Sequence, residues 1–406
     1  MTISSATINP QRLFTACCVA LIVTAMTFAI RAGILTQLSA DFNLNNTQLG
    51  WINGMAFLGF PVAMMFGGLI YNHVGARTLM YLAFICHLLG LALTISATGF
   101  WSLLLSSFFI GFANGSVEAA CNPLIADIYH TRKTAMLNKF HVWFPGGIVI
   151  GALVSTLMTK LGLGWQWQWQ IAIMIIPTII YGVMIFGQPF PTMANSETST
   201  KTNIKALFSP LFIFMFFCMT VTAASEFGTQ QWVDRIFGAS GAHPMLVLAL
   251  VTGLMAVARF FAGPIVEALN PVGVLLMSAI VTTIGILLLS QASGGMIYIA
   301  AMVFALGVTY FWPTMIGFIS EYQPKTGALG MSLLGGAGMF SMSMWNPVIG
   351  GWLDDAKAEA IASGVPAEAV ELTAGQATLQ SLALFPLLMI FAFGFLFLIR
   401  KRFARN

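Results

Sequence analysis

Twelve apolar runs, each near the roughly 20 residues that carry a helix across a bilayer, follow one another along this chain. They lie near 13–38, 48–71, 78–98, 101–126, 138–160, 167–188, 207–233, 244–266, 272–292, 295–319, 327–353 and 377–399. In hydrocarbon every backbone N–H and C=O must find its partner within the chain, which leaves helices or a closed barrel. The runs are long and continuous rather than about ten residues of alternating polarity, so a barrel is excluded. Charged residues are 7% of the chain and hydrophobic ones 58%, against about a quarter charged in soluble domains. The expected fold is an all-α membrane protein of twelve transmembrane helices.

The basic residues orient those helices. Strict alternation from a cytoplasmic N-terminus puts Arg12, Arg77, Arg132, Lys133, Lys139, Lys201, Lys205, Lys325, Arg400, Lys401, Arg402 and Arg405 on one side. The other side receives Lys160, Arg235 and Lys357. Both termini are therefore expected in the cytoplasm, with a multi-pass chain in the cytoplasmic (inner) membrane and the first span as its own insertion signal. Asp354, Asp355, Glu359, Glu368 and Glu371 make the segment before the last span an acidic outer loop. The net charge of +4 thus reflects topology, and no nucleic-acid partner is implied. Cys17, Cys18, Cys86, Cys121 and Cys218 fall within spans and read as packing residues, with no disulfide, metal or cofactor expected.

The polar run from Pro191 to Lys205 divides the spans six and six. The chain is read as a bundle over 1–190, a flexible cytoplasmic linker over 191–206 and a second bundle over 207–406. Markers recur across the linker: Gly68 with Gly263, Asn122-Pro123 with Trp312-Pro313, and Gly146-Gly147 with Gly335-Gly336. Two duplicated six-helix bundles can rock about a site at the membrane midplane and open it to each side in turn.

Polar groups inside the spans mark that site. A carboxylate in hydrocarbon is costly and faces a cavity, a partner or a proton. Asn114, Glu118 and Asn122 are spaced four apart on one helical face, with Pro123 behind them. Arg31 follows Thr24 and Thr27 in the first span, and Glu226 stands between Thr222 and Gln230 in the seventh. Arg31 and Glu226 count to the same depth, which makes them a candidate outer gate. Glu118 lies about 15 Å from Arg31 in depth, ten residues at the helical rise. It is left to bind a solute hydroxyl, to carry a proton or to pair with Arg259. His141 beside Trp143, and the aromatic faces of Trp312 and Trp345, are weaker binding candidates. WQWQWQ at 165–170 reads as an interfacial aromatic belt. No phosphate-binding G-x-x-x-x-G-K-[ST] occurs, which argues against transport driven directly by ATP.

GLIYNHVGAR, from Gly68 to Arg77, resembles the loop signature of the major facilitator superfamily, and RFFAGPIVEALNPVG from Arg259 resembles its second-half counterpart. Gly68, Gly75 and Arg77 are retained, while Asn72 and His73 replace the usual Asp and Arg; Asp127 is positioned to pair with Arg77. Within that superfamily, the segment from Glu118 through Asn122 and Pro123 is similar to the Glu-Thr-Ala-Ala-Asn-Pro-Phe of the fucose, galactose and glucose proton symporter branch. The resemblance extends to the DFNLNNTQLGW turn, the Tyr310 to Thr314 segment and the LLGGAG run from Leu333. It implies the major facilitator fold, secondary active transport of a small polar solute such as a monosaccharide, and a binding or proton-coupling role for Glu118. The branch's first-helix aspartate has no counterpart, its place being taken by Ala32 beside Arg31. The antiporter motif of the fifth helix is not matched by FPGGIVIGALV, which favours symport or uniport. The expected partners are the solute, a proton and membrane lipid, for a monomer with no enzymatic activity. An exporter of the same fold and a membrane receptor are the alternatives.

Overall fold

The computed structural model describes residues 8–129, 136, 139–159, 166–191 and 200–400. In chain order its spans are α1 (Pro10–Gly33), α2 (Asn46–Tyr71), α3 (His73–Ile95), α4 (Phe100–Ile128), α5 (Trp143–Thr159) and α6 (Trp167–Ile185). The second set is α7 (Pro210–Gln231), α8 (Pro244–Phe260), α9 (Ala268–Leu289), α10 (Met296–Ile319), α11 (Gly327–Ala362) and α12 (Ala367–Ile399). These are the twelve helices expected, in two sets of six. The face where α1 starts and α12 ends is called here the terminal face, and the opposite one the distal face.

The duplication is written into the backbone. Gly75, near the start of α3, turns the chain at φ +74°, and Asn270, 195 residues later near the start of α9, makes the matching turn at φ +56°. That left-handed region suits glycine and, next, asparagine; Asn270 holds it by accepting from the Gly273 amide at 3.1 Å. The packing repeats as well. A Cβ on Gly90 of α3 would lie 2.9 Å from the Ile110 nitrogen of α4, and one on Gly285 of α9 would lie 2.5 Å from the Phe304 nitrogen of α10. Small residues let membrane helices approach to backbone contact, and both halves use them at one crossing.

Three expectations change. Asp354, Asp355 and Glu359 belong to α11, not to a loop, because the helix continues to Ala362 and closes at Gly364 (φ +73°). The helix Thr200–Leu207 takes up the last part of the stretch expected to be a flexible linker, while 192–199 lie outside the described residues. Trp167 is buried and donates its indole N–H to Asp41 at 2.7 Å, so among the described residues of the WQWQWQ run Trp169, 60% exposed, keeps the character of a membrane belt, while Trp165 lies outside the described residues.

Candidate functional site

Between the bundles lies a floor of aromatic rings. Phe28 of α1 packs edge-on against Phe57 of α2 at 5.1 Å and lies 6.4 Å from Phe227 of α7; Phe57 and Phe227 are 5.7 Å apart. Phe144 at the start of α5 and Trp312 of α10 extend the cluster from either side. Phe28, Phe57 and Phe227 are all buried, so the rings form a dry barrier between the faces. Trp312 rests on bare α11 backbone: a Cβ on Gly338 would come 2.8 Å from its ring.

On the terminal side of this floor a hydrogen-bonded row joins α4 to the start of α5. Asn122 donates its amide to Glu118 Oε2 at 2.7 Å and accepts from His141 Nε2 at 3.0 Å. Glu118 is 8% exposed, Asn122 partly buried and His141 exposed. The row therefore connects a buried carboxylate to an accessible imidazole. Pro123 lies on the same helix one residue beyond the row, and α4 runs unbroken through it.

Asn114, one turn before Glu118, is not part of that row. Its carbonyl oxygen is 2.8 Å from His87 Nε2, its amide donates to Thr27 Oγ1 at 2.9 Å, and His87 Nδ1 is 2.9 Å from the Tyr181 hydroxyl. All four side chains are buried, and they tie α1, α3, α4 and α6 together. The network engages both ends of the Asn114 amide and sets it apart from the row that holds Glu118. His87 was not legible as a member; its one signal is a lone histidine in the apolar run FICHLLG. Asn114→Ala is expected to cost about 2–4 kcal/mol, since buried partners lose their bonds. A thermal melt should show that loss, with solute affinity unchanged.

The C-terminal bundle uses its charges differently. Pro313 lacks the N–H that would bond the Thr309 carbonyl four residues back. α10 breaks there, between Val308 and Phe311, and Arg259 of α8 donates Nε to the freed Thr309 oxygen at 3.0 Å. Arg259 is also the opposite charge that acts on buried Glu226. The guanidinium of Arg31, a residue 7% exposed, has no hydrogen bond or ion pair among the described residues. The expected Arg31–Glu226 pair is therefore not formed, although the distal face, described below, is closed. Glu118 bonds Asn122 rather than Arg259. Gln230 points into its own bundle, 3.6 Å from the Met255 sulfur, and Trp345 packs on Phe385 and Trp352 in the α11–α12 seam. Arg77 lies over the Tyr81 ring at 5.6 Å, and Asp127 is exposed at the end of α4.

Twelve helices in two repeated bundles, with ionisable groups buried among them, have the architecture of a membrane transporter. Residues 17–235, more than half of the chain, match the family model of the Major Facilitator Superfamily, and the chain belongs to that family. A curated relative, "Solute carrier family 2, facilitated glucose transporter member 10" of Xenopus tropicalis, is 26% identical over 137 residues, 34% of this chain and 24% of that protein. The chain thus spans about a quarter of that relative's length. Among solved structures, a mutant of a nucleoside transporter superposes with TM-score 0.78 at 13% identity, covering 95% of this chain and 100% of the other. A D-xylose-proton symporter gives 0.74 at 14%, covering 93% and 97%. A bacterial homologue of the lysosomal transporter Spinster, in an inward-facing and unoccupied conformation, gives 0.75 at 15%, covering 97% of each chain.

Proposed function

We propose that the chain is a proton-coupled symporter that carries a small hydroxylated solute, of monosaccharide size, across the cytoplasmic membrane by alternating access. The observation that carries this reading is the Glu118–Asn122–His141 row. Glu118 is a carboxylate at 8% exposure whose hydrogen-bond donor is a neutral amide rather than a cation, and it is the group assigned to the proton. The hydrogen-bonding edge of the same row suits a hydroxylated solute, and Trp312, in the aromatic floor, offers an aromatic face for a sugar ring. The name of the D-xylose-proton symporter, and that of the curated glucose transporter, support a sugar and a proton. Basic residues gathered at the terminal face support cytoplasmic termini. The test is a thermal-shift screen of purified protein against sugars, polyols and organic acids, followed by uptake of the hit into liposomes. Uptake that ignores an imposed pH gradient would remove the proton from the proposal.

Arg31 favours a second reading, a solute that also carries an anionic group. A guanidinium buried without a counter-ion is expensive, and a carboxylate or phosphate arriving with the solute would relieve that cost. If so, a sugar acid should stabilise the protein more than the matched neutral sugar. Arg31→Gln should erase that difference, with a loss of about tenfold or more in affinity for the acid.

A further inference from the structure

We infer that the distal gate is a pair of helix caps supplied by one bundle to the other, with Asp354 as its main latch. α2 begins at Asn46, and its own capping residue, Asn45, serves the Gln48 amide at 2.8 Å in a reciprocal capping box. That leaves the first two amides of the helix, on Asn46 and Thr47, without a partner from their own segment. Asp354, 308 residues away on α11 of the other bundle, takes both. Its Oδ1 accepts from the Asn46 amide at 3.1 Å and the Asn46 side chain at 2.9 Å. Its Oδ2 accepts from the Thr47 amide and hydroxyl, each at 2.9 Å. One carboxylate thus receives four hydrogen bonds at the positive end of a helix, where an anion is stabilised by both the free N–H groups and the helix dipole.

The neighbouring contact repeats the device. Asp234, in the short helix Val233–Phe237 that follows α7, accepts from the Thr36 amide at 3.0 Å in the first turn of the helix Leu35–Phe42. Arg235 donates to the Asn46 side-chain oxygen at 2.8 Å, so Asn46 bridges the two C-terminal segments. Beneath these caps the helices touch backbone to backbone. A Cβ on Gly350 would sit 2.2 Å from the Asn46 carbonyl oxygen, one on Gly50 2.3 Å from the Asn346 oxygen, and one on Gly54 2.6 Å from the Ser343 oxygen. The closed seam carries a cost: the Asn53 amide, between Gly50 and Gly54, is fully buried with both polar atoms unpartnered. Opening the distal face would release that amide to water and surrender the caps. The caps therefore set the balance between the closed and open distal face, and Asp354 is a positioning residue for the conformational step.

The experiment places spin labels at Ser96→Cys and Ser363→Cys, exposed sites on the distal ends of opposite bundles, in full-length protein. The five native cysteines are buried and remain as they are. Asp354→Asn removes the charge and turns one acceptor into a donor that faces N–H groups. It should raise the population of the long-distance, distal-open state relative to the short one about tenfold, the change that corresponds to losing one good cap. Asp355→Asn, whose carboxylate is exposed one residue on, should leave the distribution unchanged. Gly350→Ala keeps every hydrogen-bonding group and wedges a methyl against the Asn46 carbonyl; it must produce the same opening, and it stands in if Asp354→Asn does not fold. Unchanged distributions in Gly350→Ala and in folded Asp354→Asn would overturn the latch, as would equal opening by Asp355→Asn. The readout needs no solute, so it is independent of the proposed symport.

Discussion

Glu118→Gln is expected to abolish accumulation of solute driven by a pH gradient while leaving downhill exchange in place. The replacement amide has the size of the carboxyl, and its oxygen can still accept from Asn122, whose amide lies 2.7 Å from Glu118 Oε2. Packing at a site 8% exposed is therefore preserved, and the change is confined to the group's ability to take and release a proton. The driving force sets the size of the effect. One pH unit is worth about 1.4 kcal/mol per proton, so one-proton symport sustains about tenfold accumulation per unit. The variant should fall to a ratio of about one. Counterflow, in which labelled solute exchanges against unlabelled solute without net proton movement, should continue at a rate within a few-fold of wild type. The decisive measurement is the ratio of driven uptake to counterflow in the same liposomes. If driven uptake kept its full dependence on the imposed gradient, Glu118 would be a structural carboxylate and the coupling group would have to be sought elsewhere, with Glu226 the next buried acid.

The spans and the duplication were legible because both rest on local chemistry. Hydrocarbon demands about 20 apolar residues wherever a helix crosses, and the turn at Gly75 and Asn270 needs residues that tolerate positive φ. The Glu118–Asn122 contact was legible for the same reason, since four residues bring two side chains together on a helix. Extending that row back to Asn114 failed on geometry. Asn114 is four residues from Glu118 just as Asn122 is, but the two asparagines lie about 80° apart around the helix and so face different neighbours. Asn122 therefore meets the carboxylate while Asn114 turns toward Thr27 and His87. Depth counting brought Arg31 and Glu226 to one level but could not supply azimuth, and Glu226 answers to Arg259 in its own bundle. Asp354 was out of reach for another reason. Read as one of several loop acids, it gave no sign that its partners were the amides of a helix 307 and 308 residues earlier.

The largest loss of stability is expected at a glycine with no polar chemistry at all. Gly111 of α4 lies where α2 crosses, and a Cβ there would come 1.9 Å from the Ala56 carbonyl oxygen and 2.7 Å from the carbonyl carbon. Gly115, one turn on, would strike the Phe60 oxygen at 2.1 Å, and Gly59 of α2 would strike the Phe108 oxygen at 2.4 Å. The obstacle in each case is backbone, which no rotamer change can move aside. Gly111→Ala must push α2 outward by more than 1 Å, an overpacking cost of about 3 kcal/mol or more. A melting temperature lower by about 6–12 °C follows for a bundle of this size. Gly111→Leu should yield no monodisperse protein. Gly394 of α12 is the control, because nothing lies within 4 Å of its added Cβ. There the better helix propensity of alanine should leave the melt unchanged or slightly higher. The strain at Gly111 does not stay in the N-terminal bundle. α2 also carries Gly50 and Gly54 into the seam with α11, so a displaced α2 should loosen the distal closure as well as the fold. A variant that melted normally would mean that the two helices have room to part at their crossing, and the small-residue contacts there would then serve motion rather than stability.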